Sequence, residues 1–140
     1  MSKIFDAKGM LRSIGCRVTE GRVALLCLLS KSKAPLTAKD ISEKLAGVMD
    51  QATLYRALDA LTVAGLLRKV HITLSDAVHY ELSHDHHHHI VCTKCSSIEE
   101  LSEEACSAIM KTTLQFSKNF SGLDAHTIEL SGLCDSCLKK

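Results

Sequence analysis

Hydrophobic residues in the first part of the chain recur at the three- and four-residue spacing of an amphipathic helix. This spacing predicts one helix through Met10, Leu11 and Ile14, and a second that begins after Thr19, a good N-cap residue. The side chains that the second helix is expected to bury are Val23, Leu25, Leu26, Leu28 and Leu29. A polar stretch at residues 31–35, which contains the only proline, ends the pattern.

Two further helices follow, each with a recognisable first residue. Thr37 and Asp40 have the spacing of a capping box, and Asp50 can cap the next helix, which Gly65 ends. The first of these helices is expected to bury Ile41, Leu45 and Val48, and the second Leu54, Leu58 and Leu61.

Residues 66–74 and 78–82 then have the composition of strands, separated by turn residues. Two short helices followed by a hairpin is the order of a winged helix-turn-helix, whose second helix enters the DNA major groove. The residues that this helix would turn outward are Gln51, Ala52, Tyr55, Arg56 and Asp59. Tyr55 offers an apolar contact for a thymine methyl, and Arg56 a fork for guanine or phosphate. The alternative is an ordinary solvated face of a small helical domain.

Composition and charge narrow the class of protein. The chain has 140 residues, 46% hydrophobic and 24% charged, which excludes disorder and leaves room for one domain or two very small ones. Its apolar runs fall short of the roughly 20 residues of a membrane span, so we expect a cytoplasmic protein with no membrane partner. Residues 1–84 carry 12 Lys and Arg against 8 Asp and Glu, and residues 85–140 carry 5 against 8. This asymmetry favours an anion-binding module joined to a cation-binding one.

Four of the seven cysteines form two Cys-x-x-Cys pairs, Cys92 with Cys95 and Cys134 with Cys137. Two such pairs can supply four thiolates in a tetrahedral array around Zn²⁺, and four thiolates leave no open coordination position. The spacing therefore predicts a structural zinc site. The alternative is a pair of redox motifs of the thioredoxin kind, but neither pair opens a helix after a strand. For Cys16, Cys27 and Cys106 the conservative interpretation is that they are ordinary thiols without a role.

A run of histidines stands immediately before the first cysteine pair. If residues 86–91 are extended, His86 and His88 project to one face of a strand, and His87 and His89 to the other. One strand would then offer two imidazole pairs to two metal sites, suited to Zn, Fe, Mn, Co or Ni. The side chains available to complete these sites are Glu81, Glu99, Glu100, Glu103, Glu104 and His126. The alternative is a solvated loop with adventitious metal affinity.

Three segments in this order and spacing resemble the ferric uptake regulator (Fur) family of metal-dependent repressors, over about residues 11–137. They are Thr53-Leu54-Tyr55-Arg56-Ala57-Leu58, then His86-His87-His88-His89-Ile90-Val91-Cys92-x-x-Cys95, then Gly132-Leu133-Cys134-x-x-Cys137. The resemblance implies an α+β fold, with a winged helix-turn-helix DNA-binding domain in residues 1–83 and a small α/β metal-binding dimerisation domain in residues 84–140. It also implies a homodimeric repressor, not an enzyme and with no small-molecule substrate, that binds a palindromic double-stranded DNA operator when a regulatory metal is bound.

The resemblance further implies a role for individual residues. Cys92, Cys95, Cys134 and Cys137 match the structural zinc ligands, and Glu81, His87, His89 and Glu100 match the regulatory ligands, for Fe²⁺ or Zn²⁺ with Mn²⁺ as a further candidate. His86, His88 and His126 match an additional site, with Glu103 or Glu104 replacing a glutamate that the family places near Ser107. The residues expected to contact DNA are Arg17, Gln51, Thr53, Tyr55 and Arg56.

The chain also departs from the family pattern. Pro35 stands where many members have a ligand histidine, so His71 or His79 would have to replace it, or the site is one ligand short.

Three alternatives to a metal-uptake repressor stay open. A peroxide sensor of the same family normally has an aspartate where this chain has Glu81 or Glu100. A zinc deaminase requires a proline before its cysteine pair, where Val91 stands. A zinc-binding scaffold that does not bind DNA would leave the helix-turn-helix without a role.

Overall fold

The computed structural model describes residues 5–72, 74–83, 88–124, 126 and 128–140. The chain divides into two compact units, Met1–Asp85 and His86–Lys140, which we call unit 1 and unit 2. The predicted domain boundary after residue 83 lies two residues before this division. Among the described residues, no helix has the length and apolar character needed to cross a membrane.

Unit 1 begins with helices whose caps follow the predicted pattern. They are α1 (Ala7–Ser13), α2 (Glu20–Lys31), α3 (Ala38–Lys44) and α4 (Gln51–Val63). The side chains of Thr19, Thr37 and Asp50 accept hydrogen bonds from the first turns of α2, α3 and α4, so the three predicted N-caps are confirmed. Gly65 follows α4 with φ of +85°, the left-handed conformation expected of a C′ glycine.

A small antiparallel sheet completes unit 1. The strands are β1 (Leu36–Thr37), β2 (Leu67–His71) and β3 (Val78–Leu82), in the order β1-β3-β2. The hairpin β2–β3 follows α4 directly, so the predicted winged helix-turn-helix is confirmed. In its register, Arg68 lies opposite Glu81 and Val70 opposite His79.

The core of unit 1 is formed where the helices meet the sheet. The side chains with no exposed surface in this core are Leu11, Leu25, Leu26, Ile41, Leu58 and Leu61. Val48 was expected in the same core, but it is 46% exposed. The reason is that α3 ends at Lys44 and Gly47 takes φ of +86°, which turns the chain away from the helical stripe.

Unit 2 is a three-stranded sheet with two helices. Its elements are β4 (His88–Cys92), β5 (Ile98–Leu101), α5 (Glu103–Phe116), β6 (Glu129–Gly132) and α6 (Asp135–Leu138). The central strand β4 pairs antiparallel with β5 and parallel with β6. The predicted extended histidine segment is therefore present from His88 onward. His86 and His87 lie outside the described residues.

Candidate metal centres and candidate nucleic-acid interface

The parallel pairing of β4 with β6 brings the two cysteine pairs together. Cys92 ends β4 and lies opposite Gly132, the last residue of β6. Cys95 follows in the turn after β4, where Ser96 has φ of +61°. Cys134 is the N-cap of α6, and Cys137 lies within α6. One end of the sheet thus holds all four of these residues, which we call the four-cysteine cluster.

The dimensions of the four-cysteine cluster fit a zinc ion. Its four Sγ atoms all lie within 4.8 Å of one another, and Cys95 Sγ is 3.8 Å from Cys134 Sγ. A tetrahedral ion with Zn–S bonds of about 2.3 Å requires sulfurs about 3.8 Å apart. The cluster can therefore hold Zn²⁺ with little rearrangement of its side chains.

Without a metal ion, Cys92 and Cys137 do not ionise over the same pH range. The backbone N–H of Cys134, 3.4 Å from Cys92 Sγ, and other backbone N–H groups lower the pKa of Cys92 to about 6. A hydrogen bond with Cys134 Sγ, together with burial, raises the pKa of Cys137 to about 12. Four neighbouring thiolates repel one another, so a divalent cation must compensate their charge when all are deprotonated.

A second cluster of ligand-type side chains lies at the opposite end of β4. The side-chain donor atoms of His88, Cys106 and His126 are within 4.8 Å of one another, and we call this group the HCH cluster. Cys106 Sγ is 3.2 Å from His126 Nε2, and the rings of His88 and His126 have their centroids 4.8 Å apart. Glu103, the carboxylate predicted for this site, is exposed at the start of α5 and is not a member of the cluster.

His89 and Glu100, the predicted regulatory residues of unit 2 that the structure describes, share one side of its sheet. His89 is buried and lies opposite Glu100 on β5 and opposite Glu129 on β6. Directly paired residues on neighbouring strands project to the same face, so one imidazole stands between two carboxylates. The family resemblance implies His89 and Glu100 as ligands, whereas Glu129 was not among the predicted residues.

The predicted regulatory residue of unit 1 is Glu81, on β3. Its carboxylate accepts a hydrogen bond of 2.7 Å from Arg68 Nε and forms an ion pair with the same guanidinium. His79 lies two residues earlier on the same strand, so it shares the face of Glu81. His71 pairs with Val78 and therefore lies on the other face. Of the two histidines considered as replacements at the position of Pro35, His79 is the one beside Glu81.

The outward face of α4 carries the predicted DNA-contacting side chains of this helix. Leu54, Ala57, Leu58 and Leu61 are buried, which turns the other side of the helix to solvent. The exposed residues, which we call the α4 surface, are Gln51, Ala52, Thr53, Tyr55, Arg56 and Asp59. Tyr55 is 46% exposed, so its ring is accessible to a binding partner. The backbone N–H of Thr53 donates a hydrogen bond of 2.7 Å to Asp50 Oδ1.

Arg17 lies beside the start of α4, across a shallow cavity of about 570 Å³. The cavity is also lined by Arg56, Arg22 and Thr53, with Glu20 and Asp50 as its acidic members. Arg22 Nη1 donates a hydrogen bond of 3.2 Å to the backbone oxygen of Arg17 and so anchors this segment. Three guanidinium groups against two carboxylates give the cavity a net positive charge, as a phosphate-contacting surface requires.

The sequence and the order of these elements match a known family. The model of the ferric uptake regulator family matches residues 13–131. The chain belongs to the ferric uptake regulator family. Members of this family are metal-responsive regulators rather than enzymes. The chain is therefore a metal-responsive regulator of the Fur family.

Fur relatives cover nearly the whole chain. The ferric uptake regulation protein of Neisseria gonorrhoeae is 33% identical, with 97% of this chain and 96% of the relative aligned. The Fur structure from Francisella tularensis, solved with iron, is 29% identical with a TM-score of 0.66 and covers 89% of this chain and 96% of that one. Helicobacter pylori Fur, described as having three functional metal binding sites, is 18% identical with a TM-score of 0.75, over 100% and 99% of the chains, which supports the fold alone.

Two ligand-type residues of this Fur family member, Cys106 and Glu129, could not be predicted from its sequence. Cys106 was interpreted as an ordinary thiol on a helix. That helix, α5, directly follows β5, the strand that carries Glu100. Glu129 gave no signal, because the strand β6 was not predicted and its parallel pairing joins residues 40 positions apart, such as His89 and Glu129. Both residues depend on chain segments that come together only in the folded unit.

Proposed function

We propose that this protein is a transcriptional repressor that binds a palindromic DNA operator as a metal-loaded homodimer and thereby controls metal uptake genes. The observation that carries the proposal is the α4 surface. It presents Tyr55 and Arg56 on the second helix of a helix-turn-helix, with Arg17 across the adjacent cavity. An exposed aromatic side chain among basic groups is suited to base edges and phosphates of double-stranded DNA. A repressor of this kind works in the cytoplasm.

Two metal roles follow from the donor atoms. We propose that the four-cysteine cluster holds a structural Zn²⁺, because four thiolates saturate the ion and leave no position for a substrate or a water molecule. We propose that the regulatory metal is bound by His89 and Glu100, together with the other predicted ligands, Glu81 and His87. Imidazole with carboxylate suits Fe²⁺, Zn²⁺ or Mn²⁺, and such a mixed site exchanges its ion more readily than four thiolates do.

Control by the metal requires that metal binding and DNA binding influence each other. An ion that binds one conformation of the dimer more tightly shifts the population toward it. If that conformation spaces the two α4 helices for successive major grooves, about 34 Å apart, the ion raises DNA affinity. The operator must then raise metal affinity by the same factor, because the coupling free energy is reciprocal.

Fluorescence anisotropy with an inverted-repeat, A/T-rich duplex tests the proposal. Purified protein that retains its tightly held zinc is titrated with Fe²⁺ under anaerobic conditions, and separately with Zn²⁺ and Mn²⁺. We expect the affinity for the duplex to rise when further metal binds. We also expect it to fall steeply as salt is added, with a slope of several units in a plot of log affinity against log salt concentration. Binding that is tight with and without added metal would refute control by metal. The absence of binding to any such duplex would refute the repressor and favour a zinc-binding scaffold.

Single substitutions separate the two functions. Arg56→Ala should weaken operator binding without changing metal content, whereas His89→Ala should remove the effect of added metal and leave the zinc of the four-cysteine cluster in place. Lys111→Ala is a matched control, because it removes one positive charge from α5 rather than from the α4 surface. An Arg56→Ala protein with wild-type affinity would show that α4 does not carry the DNA contact.

A further inference from the structure

The HCH cluster is made of donors from three separate segments of unit 2. His88 is the first residue of β4, Cys106 lies near the start of α5, and His126 precedes β6. The HCH cluster is also separate from the four-cysteine cluster. His88 and Cys92 are four residues apart on one strand, which at about 3.3 Å per residue puts them about 13 Å apart. We propose that Cys106 supplies a thiolate ligand to the additional metal site that the family resemblance implies at His88 and His126, in place of the expected glutamate, and that this thiolate makes the site prefer Zn²⁺.

The geometry of the three donors supports this proposal. With Zn–S of about 2.3 Å and Zn–N of about 2.0 Å, a tetrahedral ion needs sulfur and nitrogen about 3.5 Å apart. Cys106 Sγ and His126 Nε2 are 3.2 Å apart, and all donor pairs are within 4.8 Å. Small rotations of the side chains bring them to coordination distance. The fourth position is left for water or another ligand.

The positions of the three side chains are fixed by the surrounding backbone. The backbone N–H of Ile128 donates a hydrogen bond of 3.2 Å to His88 Nδ1, which holds this ring against the segment that carries His126. Ser102 caps α5 through a hydrogen bond of 3.1 Å from the N–H of Ala105, which sets the start of the helix that carries Cys106. His88 is 5% exposed and Cys106 is 7% exposed. Donors that are held in place and buried bind an ion at a lower entropic cost than mobile surface side chains do.

The thiolate decides which metal the site prefers. A site with Glu103 would combine imidazole with a carboxylate, which suits Mn²⁺ and Fe²⁺ as well as Zn²⁺. Cys106 replaces that hard oxygen with a soft sulfur, which favours Zn²⁺ over Mn²⁺ and Fe²⁺. A cysteine beside a histidine is also the arrangement of an activated nucleophile, but burial closes this thiol to a substrate. All three donors lie in unit 2, so the proposed site does not depend on whether the protein binds an operator.

The test uses ¹¹³Cd²⁺ as a spectroscopic substitute for Zn²⁺ in the full-length protein. The ¹¹³Cd chemical shift moves in order of the number of sulfur ligands, so the four-cysteine cluster and a site with one sulfur give separate resonances. We expect one resonance for a four-sulfur site and a second for a site with one sulfur and nitrogen ligands. In the ¹H–¹¹³Cd correlation spectrum of the wild-type protein, the second resonance should couple to the β protons of Cys106 and to histidine ring protons.

Variants test the role of Cys106 directly. Cys106→Ser should lose the one-sulfur resonance and keep the four-sulfur one. Its Zn²⁺ affinity at this site should fall at least roughly tenfold, because even the loss of a group that only hydrogen-bonds to a ligand costs that much. Cys27→Ser is the matched control, because it removes a half-buried thiol of unit 1 that belongs to neither cluster. Cys106→Asp should shift the preference of the site from Zn²⁺ toward Mn²⁺.

Two results would overturn the proposal. One is a wild-type spectrum without a resonance that couples to Cys106, a result that does not depend on the stability of any variant. The other is a folded Cys106→Ser protein that retains the one-sulfur resonance and full Zn²⁺ affinity. Either result would leave Cys106 and His126 as a hydrogen-bonded pair. The DNA-binding experiment would be unaffected, so the two proposals can fail separately.

Discussion

Asp50 shows how one side chain prepares the α4 surface. Its carboxylate accepts the backbone N–H of Thr53 at 2.7 Å, and this bond, reinforced by the Thr53 side chain and by Arg56, holds the pKa of Asp50 below its usual 3.8. Two of the predicted DNA-contacting residues are therefore linked to the cap of the helix. The cap fixes the first turn of α4, where Gln51 and Thr53 are exposed.

The depressed pKa of Asp50 predicts a pH dependence. Because the folded protein favours the charged carboxylate, its stabilising effect is complete above pH 3.8 and is lost as pH falls through the lower folded-state pKa. Asp50→Ala should therefore unfold at a lower temperature than wild type at pH 7, and this difference should narrow below pH 3.8. Thermal unfolding across this range, with Asp59→Ala as the control for an exposed carboxylate on the same helix, measures the effect. A difference independent of pH would contradict it.

At the scale of elements, α3 depends on a reciprocal cap. Thr37 Oγ1 accepts the N–H of Asp40 at 3.1 Å, and Asp40 Oδ2 accepts the N–H of Thr37 at 3.1 Å. Two backbone donors at the start of a seven-residue helix are satisfied in this way. A helix this short has little stability of its own, so its cap and its buried Ile41 maintain it.

Removal of this cap should have a measurable cost. We expect Thr37→Ala to lower the free energy of unfolding by about 1 kcal/mol, the typical loss when an N-cap threonine is replaced by alanine. Thr37→Ser keeps a hydroxyl in the same place and should recover most of that loss. Urea denaturation of the three proteins gives the comparison. Equal stability of the alanine and serine variants would mean that the side-chain hydrogen bond contributes nothing.

These elements also show which parts of the structure could be predicted from the sequence. The helices α2, α3 and α4 were predictable because caps and apolar spacing are local signals, and the wing was predictable from two apolar segments around a turn. The four cysteines were predictable as a group because the chemistry of zinc requires their spacing. His88 and His126 were expected together through the family resemblance, but Cys106 was not, because it meets His126 across 20 residues of chain and no local pattern records that contact. Metal-ligand pairs of this kind depend on tertiary packing.

At the scale of the whole molecule, the two units are stabilised by different means. Unit 1 has a core of aliphatic side chains, whereas the described part of unit 2 contains few fully buried aliphatic residues, Val91 among them. A small unit with so little apolar core requires another source of stability, and a bound metal is a common one. The four-cysteine cluster is in the right place, because it joins the ends of β4 and β6.

Loss of one thiolate should therefore affect the units unequally. We expect Cys92→Ser to lose the tightly held zinc and to unfold unit 2, while unit 1 keeps its helical circular dichroism because its core is its own. Zinc analysis and circular dichroism of the same sample test this, with Cys27→Ser as a control that leaves both clusters intact. A Cys92→Ser protein that retains tightly bound zinc and a folded unit 2 would show that the four-cysteine cluster is not the structural site.

The parallel pairing of β4 with β6 has a consequence for protein synthesis. Unit 1 is complete by residue 85, so it can fold while the ribosome is still adding residues. The four-cysteine cluster needs Cys134 and Cys137, which are translated more than 40 residues after Cys92. During that interval the first two thiols are without their partners. Zinc is therefore captured late, and a ribosome that stalls before residue 134 leaves a nascent chain with a folded winged helix and an incomplete metal site.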